Sequence, residues 1–103
     1  MNNYKPLPKE LRLGFSKIHD IGVFAKEKIR TGHDFGISHL KIGDDLFRTP
    51  LGGFINHSNT PNCEKIELHA GSNEPFKKKW NLITRQDIKK GEEITLRYTF
   101  YNV

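Results

Sequence analysis

The residues best suited to chemistry lie in one stretch, Phe54-Ile55-Asn56-His57-Ser58-Asn59-Thr60-Pro61-Asn62-Cys63. Gly52 and Gly53 lead into an apolar pair, and the residues after it are nearly all polar, small or turn-forming. No helical or strand period runs through them, so a loop following a short strand is expected. Pro61 biases Thr60 towards extended backbone. Asn56, Ser58, Asn59 and Asn62 can each hydrogen-bond nearby main chain and hold an irregular path. Amides and an imidazole placed mid-chain between apolar segments can offer donors and acceptors to a ligand. The same composition also makes a well-capped surface turn, and the residues alone leave both readings open. Cys63 has no base beside it in sequence and reads as a buried structural thiol.

The elements that must position this loop read as strands. Leu11 to Phe15 alternates apolar and other residues, and Ile21 to Ala25 reads as a second strand across the polar turn Ser16 to Asp20. Phe35 to Ile42 is a third, weakened by Gly36, and Gly43-Asp44-Asp45 is a turn. Leu46 to Pro50 is short and ambiguous. Beyond the loop, Glu64 to His69 places Ile66 and Leu68 on one face, Trp80 to Thr84 is another strand with Trp80 in the core, and Ile94 to Tyr101 is the last. No segment carries twelve residues of helical pattern, so the fold class is mostly β with little helix. One internal echo stands out. Ala25, Ile29, Gly32 and Phe35 recur in spacing as Thr84, Ile88, Gly91 and Ile94. In each copy the isoleucine should pin a charged turn to the core, while the glycine permits the positive φ at the reversal.

The totals bound the rest. A chain of 103 residues is one domain, divided here into an N-terminal arm over 1–10 and a folded unit over 11–103. A single Cys excludes an internal disulfide and a Cys-cluster zinc site. None of the five histidines pairs at i,i+3 or i,i+4, so no metal is expected. The formal charge of +5 permits an acidic partner, and Lys77-Lys78-Lys79 is the densest basic run, read as a solvated loop or a phosphate contact. No apolar run approaches a membrane span and the N-terminus lacks a signal-peptide core, so an intracellular, cytoplasmic or nuclear protein is expected.

Three segments, taken in order, carry a resemblance. Ile18-His19-Asp20-Ile21-Gly22-Val23-Phe24-Ala25, the loop Phe54 to Cys63 with its N-H-S-x-x-P-N-C pattern, and Ile88 to Phe100 with Gly91-Glu92-Glu93-Ile94-Thr95-Leu96-Arg97-Tyr98 resemble the SET-domain protein-lysine methyltransferases. The resemblance spans residues 11 to 101 and looks most like the small SET proteins of viruses and bacteria. It implies a fold of several small curved β-sheets with the C-terminal segment tucked under a loop as a pseudoknot. It also implies transfer of a methyl group from S-adenosyl-L-methionine to a deprotonated lysine of a histone or other protein. Asn56 and His57 match residues that bind the cofactor, and His19, Asp20, Ile21 and Gly22 match a segment that contacts it through the main chain. Tyr98 matches the catalytic tyrosine and Phe100 an aromatic that walls the site. Tyr101, or a neighbouring subunit in a homodimer, is a candidate for closing it.

The pattern has departures. Asn59 stands where many members have a zinc-binding Cys, and Val103 ends the chain without a Cys cluster. Asp20 replaces the first Gly of a G-x-G, Arg97 replaces an Asp before the tyrosine, and Ile37-Ser38 stands where a second tyrosine is expected. Leu96 occupies the position that influences how many methyl groups are added. The insert between residues 40 and 52 is very short. The acids Asp44, Asp45, Glu64 and Glu67 are candidates for a local patch facing a basic substrate, and Glu92 or Glu93 for anchoring the C-terminal loop. Two other classes compete: a catalytically silent SET-like module that binds cofactor or peptide, and a small basic β domain that binds nucleic acid.

Overall fold

Leu11 and Leu13 alternate with polar or small residues, and five residues away Ile21, Val23 and Ala25 do the same, so the two segments close as an antiparallel hairpin. In the computed structural model, which describes residues 7–69 and 78–97, β1 (Leu11–Phe15) pairs β2 (Ile21–Ala25) from Leu11↔Ala25 to Phe15↔Ile21. The chain continues through β3 (Asp34–Ile42) and β4 (Asp45–Arg48), a single helical turn α1 (Pro50–Gly53), and β5 (Asn56–His57). It then forms β6 (Cys63–His69), β7 (Lys78–Thr84) and β8 (Glu93–Leu96). These make two four-stranded sheets, ordered β1-β2-β8-β5 and β4-β3-β7-β6. The class is the expected one, mostly strand in small sheets with very little helix.

Tertiary pairing adds two elements that the residue pattern does not announce. Asn56–His57 forms a strand, although its surroundings carry no strand period, because it runs parallel to β8 in the register Asn56↔Thr95 and His57↔Leu96. The segment after β4 turns helical at Pro50, where Thr49 caps the turn by accepting from the Gly52 amide and Pro50 occupies the first turn. Gly36, expected to weaken β3, sits at a bulge with φ of 101°, where the pairing with β7 slips between Asp34↔Ile83 and Ile37↔Asn81. The expected strand from Ile94 to Tyr101 is described as Glu93–Leu96, and the pseudoknot assigned to the C-terminus falls on residues 98–103, outside the described residues.

The internal echo becomes a physical pair. Ile29 and Ile88 exchange both backbone hydrogen bonds, at 2.9 and 2.8 Å, in an isolated antiparallel bridge. Around them the contacts repeat symmetrically. The Gly32 amide donates to Thr84 O at 2.9 Å and the Gly91 amide to Ala25 O at 2.8 Å, while the Thr84 amide donates to His33 O and the Ala25 amide to Glu92 O. Gly32 and Gly91 hold φ of 83° and 89°, which explains glycine at both reversals. Both isoleucines are buried with Val23, Leu82, Ile94 and Cys63 in the core between the sheets, and burying each is worth about 2–3 kcal/mol. The two similar corners thus lock to one another and staple the sheets together. Leu7 also packs against this core. No helix among the described residues is long and apolar enough to cross a membrane.

The four acids proposed as a patch are split. Asp44 and Asp45 lie at the β3–β4 turn, whereas Glu64 and Glu67 lie on β6, the opposite edge of the same sheet. Glu67 faces Lys78 at 3.8 Å. A shared acidic groove is therefore not formed by these residues.

Candidate functional site

β8 is held between β2 and β5, and this placement brings together the three segments singled out in the sequence. Glu93 pairs with Phe24 of β2 on one side, and Asn56 of β5 lies beside Thr95 on the other. The Glu93 side chain turns towards Gly22. The Ser16 hydroxyl, from the β1–β2 turn, donates to the Glu93 carboxylate at 2.8 and 2.9 Å. The same Ser16 oxygen accepts from the Ile18 amide at 2.9 Å and from His19 at 3.3 Å, so it also shapes the turn.

Asn56 is the centre of this group. Its Nδ2 lies 2.8 Å from Glu93 Oε2, 3.0 Å from Ser16 Oγ, 3.1 Å from His19 O and 3.3 Å from Ile21 O. An amide nitrogen carries two hydrogens, so four acceptors share two donors in a cage that fixes the side chain's orientation. Asn56 is 7% exposed. Among the described residues, the hydrogen bonds of this side chain all run through Nδ2. Gly22 has to be glycine for this arrangement. A Cβ there would run into Glu93 Oε2, and would lie 2.9 Å from Glu93 Cδ and 3.1 Å from Asn56 Nδ2.

The predicted cofactor segment behaves largely as main chain. His19 and Asp20 expose their side chains, 76% and 82%, while the carbonyls of His19 and Ile21 take part in the cage. Asp20 adopts φ of 35°, the one described non-glycine residue at positive φ. The position therefore keeps a glycine-like backbone although glycine is absent, and Asp is among the residues that tolerate it. Gly22 is buried and His57 half-buried, with His57 Nε2 3.1 Å from Asn59 Oδ1. Four of the expected residues (Ile21, Gly22, Asn56 and the His19 carbonyl) thus converge, whereas the side chains of His19 and Asp20 do not enter. Tyr98, Phe100 and Tyr101 lie outside the described residues.

Three residues of the site have roles more specific than the sequence reading gave them. Ser16 looked like an ordinary turn residue. Of the two adjacent glutamates, Glu93 enters the cage, while Glu92 Oε1 accepts from the Lys89 amide at 2.6 Å in the corner. Asn62 works as a piece of false β-ladder against β8. Its Nδ2 donates to Glu93 O at 2.8 Å, its Oδ1 accepts from the Thr95 amide at 2.9 Å, and its own amide donates to Thr95 Oγ1 at 3.1 Å. Residues spaced by two along β8 thus find a side-chain amide in place of a neighbouring strand, which ties the Asn/His loop to β8. The signal for this was an asparagine two residues before the next strand, indistinguishable in sequence from a turn former.

Polar groups on the other sheet are shifted by burial. Desolvation, with Lys65 and Arg48 adding repulsion, holds His39 down at about 4, and its Nδ1 lies 2.8 Å from Ser38 Oγ. His39 is therefore neutral at pH 7. Burial, reinforced by Glu64, pushes the Cys63 thiol up to about 12, which removes it as a nucleophile. Desolvation lowers Lys65, whose Nζ lies 3.5 Å from Arg97 O at the end of β8.

The profile of the SET domain matches residues 37–99. Histone-lysine N-methyltransferase set1 of Dictyostelium discoideum is 35% identical over 77 residues, covering 75% of this chain and 5% of that protein. Histone-lysine N-methyltransferase ATXR7 of Arabidopsis thaliana is 35% identical over 133 aligned positions, covering 97% of this chain and 9% of that protein. This chain thus spans less than a tenth of these relatives. An aligned length of 133 against 103 residues also means that the relative carries residues this chain lacks. Among solved structures, a Plasmodium falciparum protein described as a candidate histone methyltransferase superposes with a TM-score of 0.71 at 19% identity, over 89% of this chain and 95% of that one. A humanized Chaetomium thermophilum Polycomb Repressive Complex 2 bound to an inhibitor gives 0.68 at 18% identity, over 86% and 15%.

Proposed function

The chain belongs to the SET-domain family, and we propose that it is an S-adenosyl-L-methionine-dependent protein-lysine N-methyltransferase acting on a histone or another lysine-bearing protein. The observation that carries the reading is the convergence of Gly22, Asn56 and Glu93, from three distant segments, into one cage. The donor set fits the cofactor: an amide oxygen, main-chain groups at His19 to Gly22, and glycine where backbone and ligand must approach closely.

Bound, the cofactor supplies an electrophilic methyl group on a sulfonium sulfur. The chain's own residues do the rest. Asn56, oriented by Glu93 and Ser16, and the main chain of His19, Asp20, Ile21, Gly22 and His57 are assigned to hold the cofactor. Phe100 and Tyr101 are assigned to its wall and lid. A lysine amine has an ordinary pKa of about 10.4, so the site must favour its neutral form, and an apolar approach that desolvates the ammonium does so. The Tyr98 hydroxyl is assigned to orient that amine and to stabilise charge developing at the transferred carbon through weak C–H···O contact. A histone substrate places such an enzyme in the nucleus, and another protein substrate in the nucleus or the cytoplasm.

The test pairs two measurements. Purified protein, labelled cofactor and a panel of basic proteins should give label on lysine, and Tyr98→Phe should lower the rate by about 10²–10³-fold, the usual cost of one preorganised donor, with cofactor affinity retained. Calorimetric cofactor binding without transfer to any protein would replace this reading by that of a silent binding module. Absence of cofactor binding would remove both.

A further inference from the structure

The basic charge of this chain is concentrated by the fold where the sequence does not show it. The two echoed corners contribute Lys26, Lys28 and Arg30 from one turn and Arg85, Lys89 and Lys90 from the other, and all six side chains are exposed. The Ile29–Ile88 bridge turns the isoleucines inward and brings the two exposed turns side by side. None of the six forms an ion pair among the described residues. Four carboxylates, Glu10, Glu27, Asp87 and Glu92, lie among them, and three are engaged on the protein's own groups, Glu10 Oε2 lying 3.1 Å from His33 Nε2 beside Lys28 and Arg30. Asp87 Oδ1 accepts from the Thr31 amide at 2.9 Å and from its hydroxyl at 2.8 Å, and Glu92 caps the Lys89 amide. The Thr31 hydrogen bonds, with Lys28 and Arg30 adding, hold the Asp87 carboxyl below its usual range. Glu27 remains as the one unengaged acid. The surface lies at the Ala25 end of β2, away from Gly22 and the cage, so it does not bear on the proposed cofactor site.

We propose that this double corner docks the phosphodiester backbone of double-stranded DNA, without reading its sequence. Charge complementarity selects a polyanion. The absence of any aromatic residue within either turn (26–32 and 85–92) selects the duplex, because single strands are held by base stacking on aromatic faces and this surface offers none. A duplex needs only cations that meet phosphates, which the two exposed basic turns joined at the antiparallel Ile29–Ile88 bridge supply. The inference does not depend on methyl transfer. It gives six of the chain's cations a shared role, and the run Lys77-Lys78-Lys79, the sequence's own nucleic-acid candidate, is not part of it.

The experiment is fluorescence anisotropy with a labelled random-sequence duplex at a series of salt concentrations. If all six cations contact phosphates, log K falls against log salt with a slope of about −5, a loss near 10³-fold between about 50 and 200 mM. The variants Lys26→Gln/Lys28→Gln/Arg30→Gln and Arg85→Gln/Lys89→Gln/Lys90→Gln should each bring the slope to about −3. Lys41→Gln/Lys78→Gln/Lys79→Gln, which removes the same charge from the other sheet, should leave it unchanged. Equal loss in all three variants, no duplex binding at low salt, or tighter binding of a single strand of the same sequence would each overturn the proposal. Unchanged Trp80 fluorescence in the variants verifies that they are folded.

Discussion

Gly22 and Glu93 make a double-mutant cycle that isolates the geometry of the cage. Glu93→Ala removes the acceptor of the Ser16 hydroxyl and one acceptor of the Asn56 amide, at a cost of about 2–3 kcal/mol for charge-assisted bonds in a half-buried setting. Gly22→Ala places a Cβ where that same carboxylate sits and must expel it, which costs about the same. With Glu93 already truncated, however, the two nearest obstructing atoms are gone, and the next of the three nearest is Asn56 Nδ2 at 3.1 Å. The double variant should therefore lose about 3 kcal/mol and not the 4–6 kcal/mol of independent sites, a coupling of about 2 kcal/mol. Urea denaturation followed at Trp80, the single tryptophan and 8% exposed, reports each stability directly. For a domain of this size a shift of that order moves the midpoint by about 1–2 M. Additivity within about 0.5 kcal/mol would refute the claim that Gly22 exists to admit the Glu93 carboxylate.

Other expectations follow from the same contacts. Asn56→Ala should abolish calorimetric cofactor binding and also cost about 2 kcal/mol of stability, because it empties the cage. His57→Ala, which removes the imidazole lying 3.1 Å from Asn59 Oδ1, should weaken cofactor binding measured by calorimetry. Asp20→Gly should raise stability by about 0.5–1 kcal/mol, since glycine relieves the positive φ, and a thermal melt that fell would show that the Asp side chain is needed. His39 gives a pH dependence of defined sign. Its folded pKa of about 4 lies below the ordinary 6.5, so only the unfolded chain takes up a proton between those values. Stability is then full above about pH 6.5 and falls by up to about 1.4 kcal/mol per unit, about 3 kcal/mol in all by pH 4. His39→Gln should flatten that limb of the urea midpoint against pH, and an unaltered slope would assign it to other groups.

Much of the architecture was legible because it depends on near neighbours. Alternation located β1, β2, β6 and β7, and a charged turn with one isoleucine and a glycine was enough to expect two like corners. The Asn/His loop was recognisable because its amides and proline leave few regular conformations open. The sequence therefore determined the strands, the two reversals and the identity of the groups that could meet a ligand.

Only the tertiary structure decided which of those groups meet. Ser16 and Glu93 are 77 positions apart, and Asn56 and Glu93 are 37 apart, distances over which side-chain patterns carry no mutual information. Glu92 and Glu93 are chemically identical neighbours. Their roles separate because the strand period sends one into the cage and the other into the corner. Asn56–His57 is a strand only because β8 lies beside it, and Asn62 is a clamp only because its amide spans two residues of that strand. The exposed cations of the two corners became one surface for the same reason: the Ile29–Ile88 bridge is a long-range pairing, and charge is placed by whatever the core draws together.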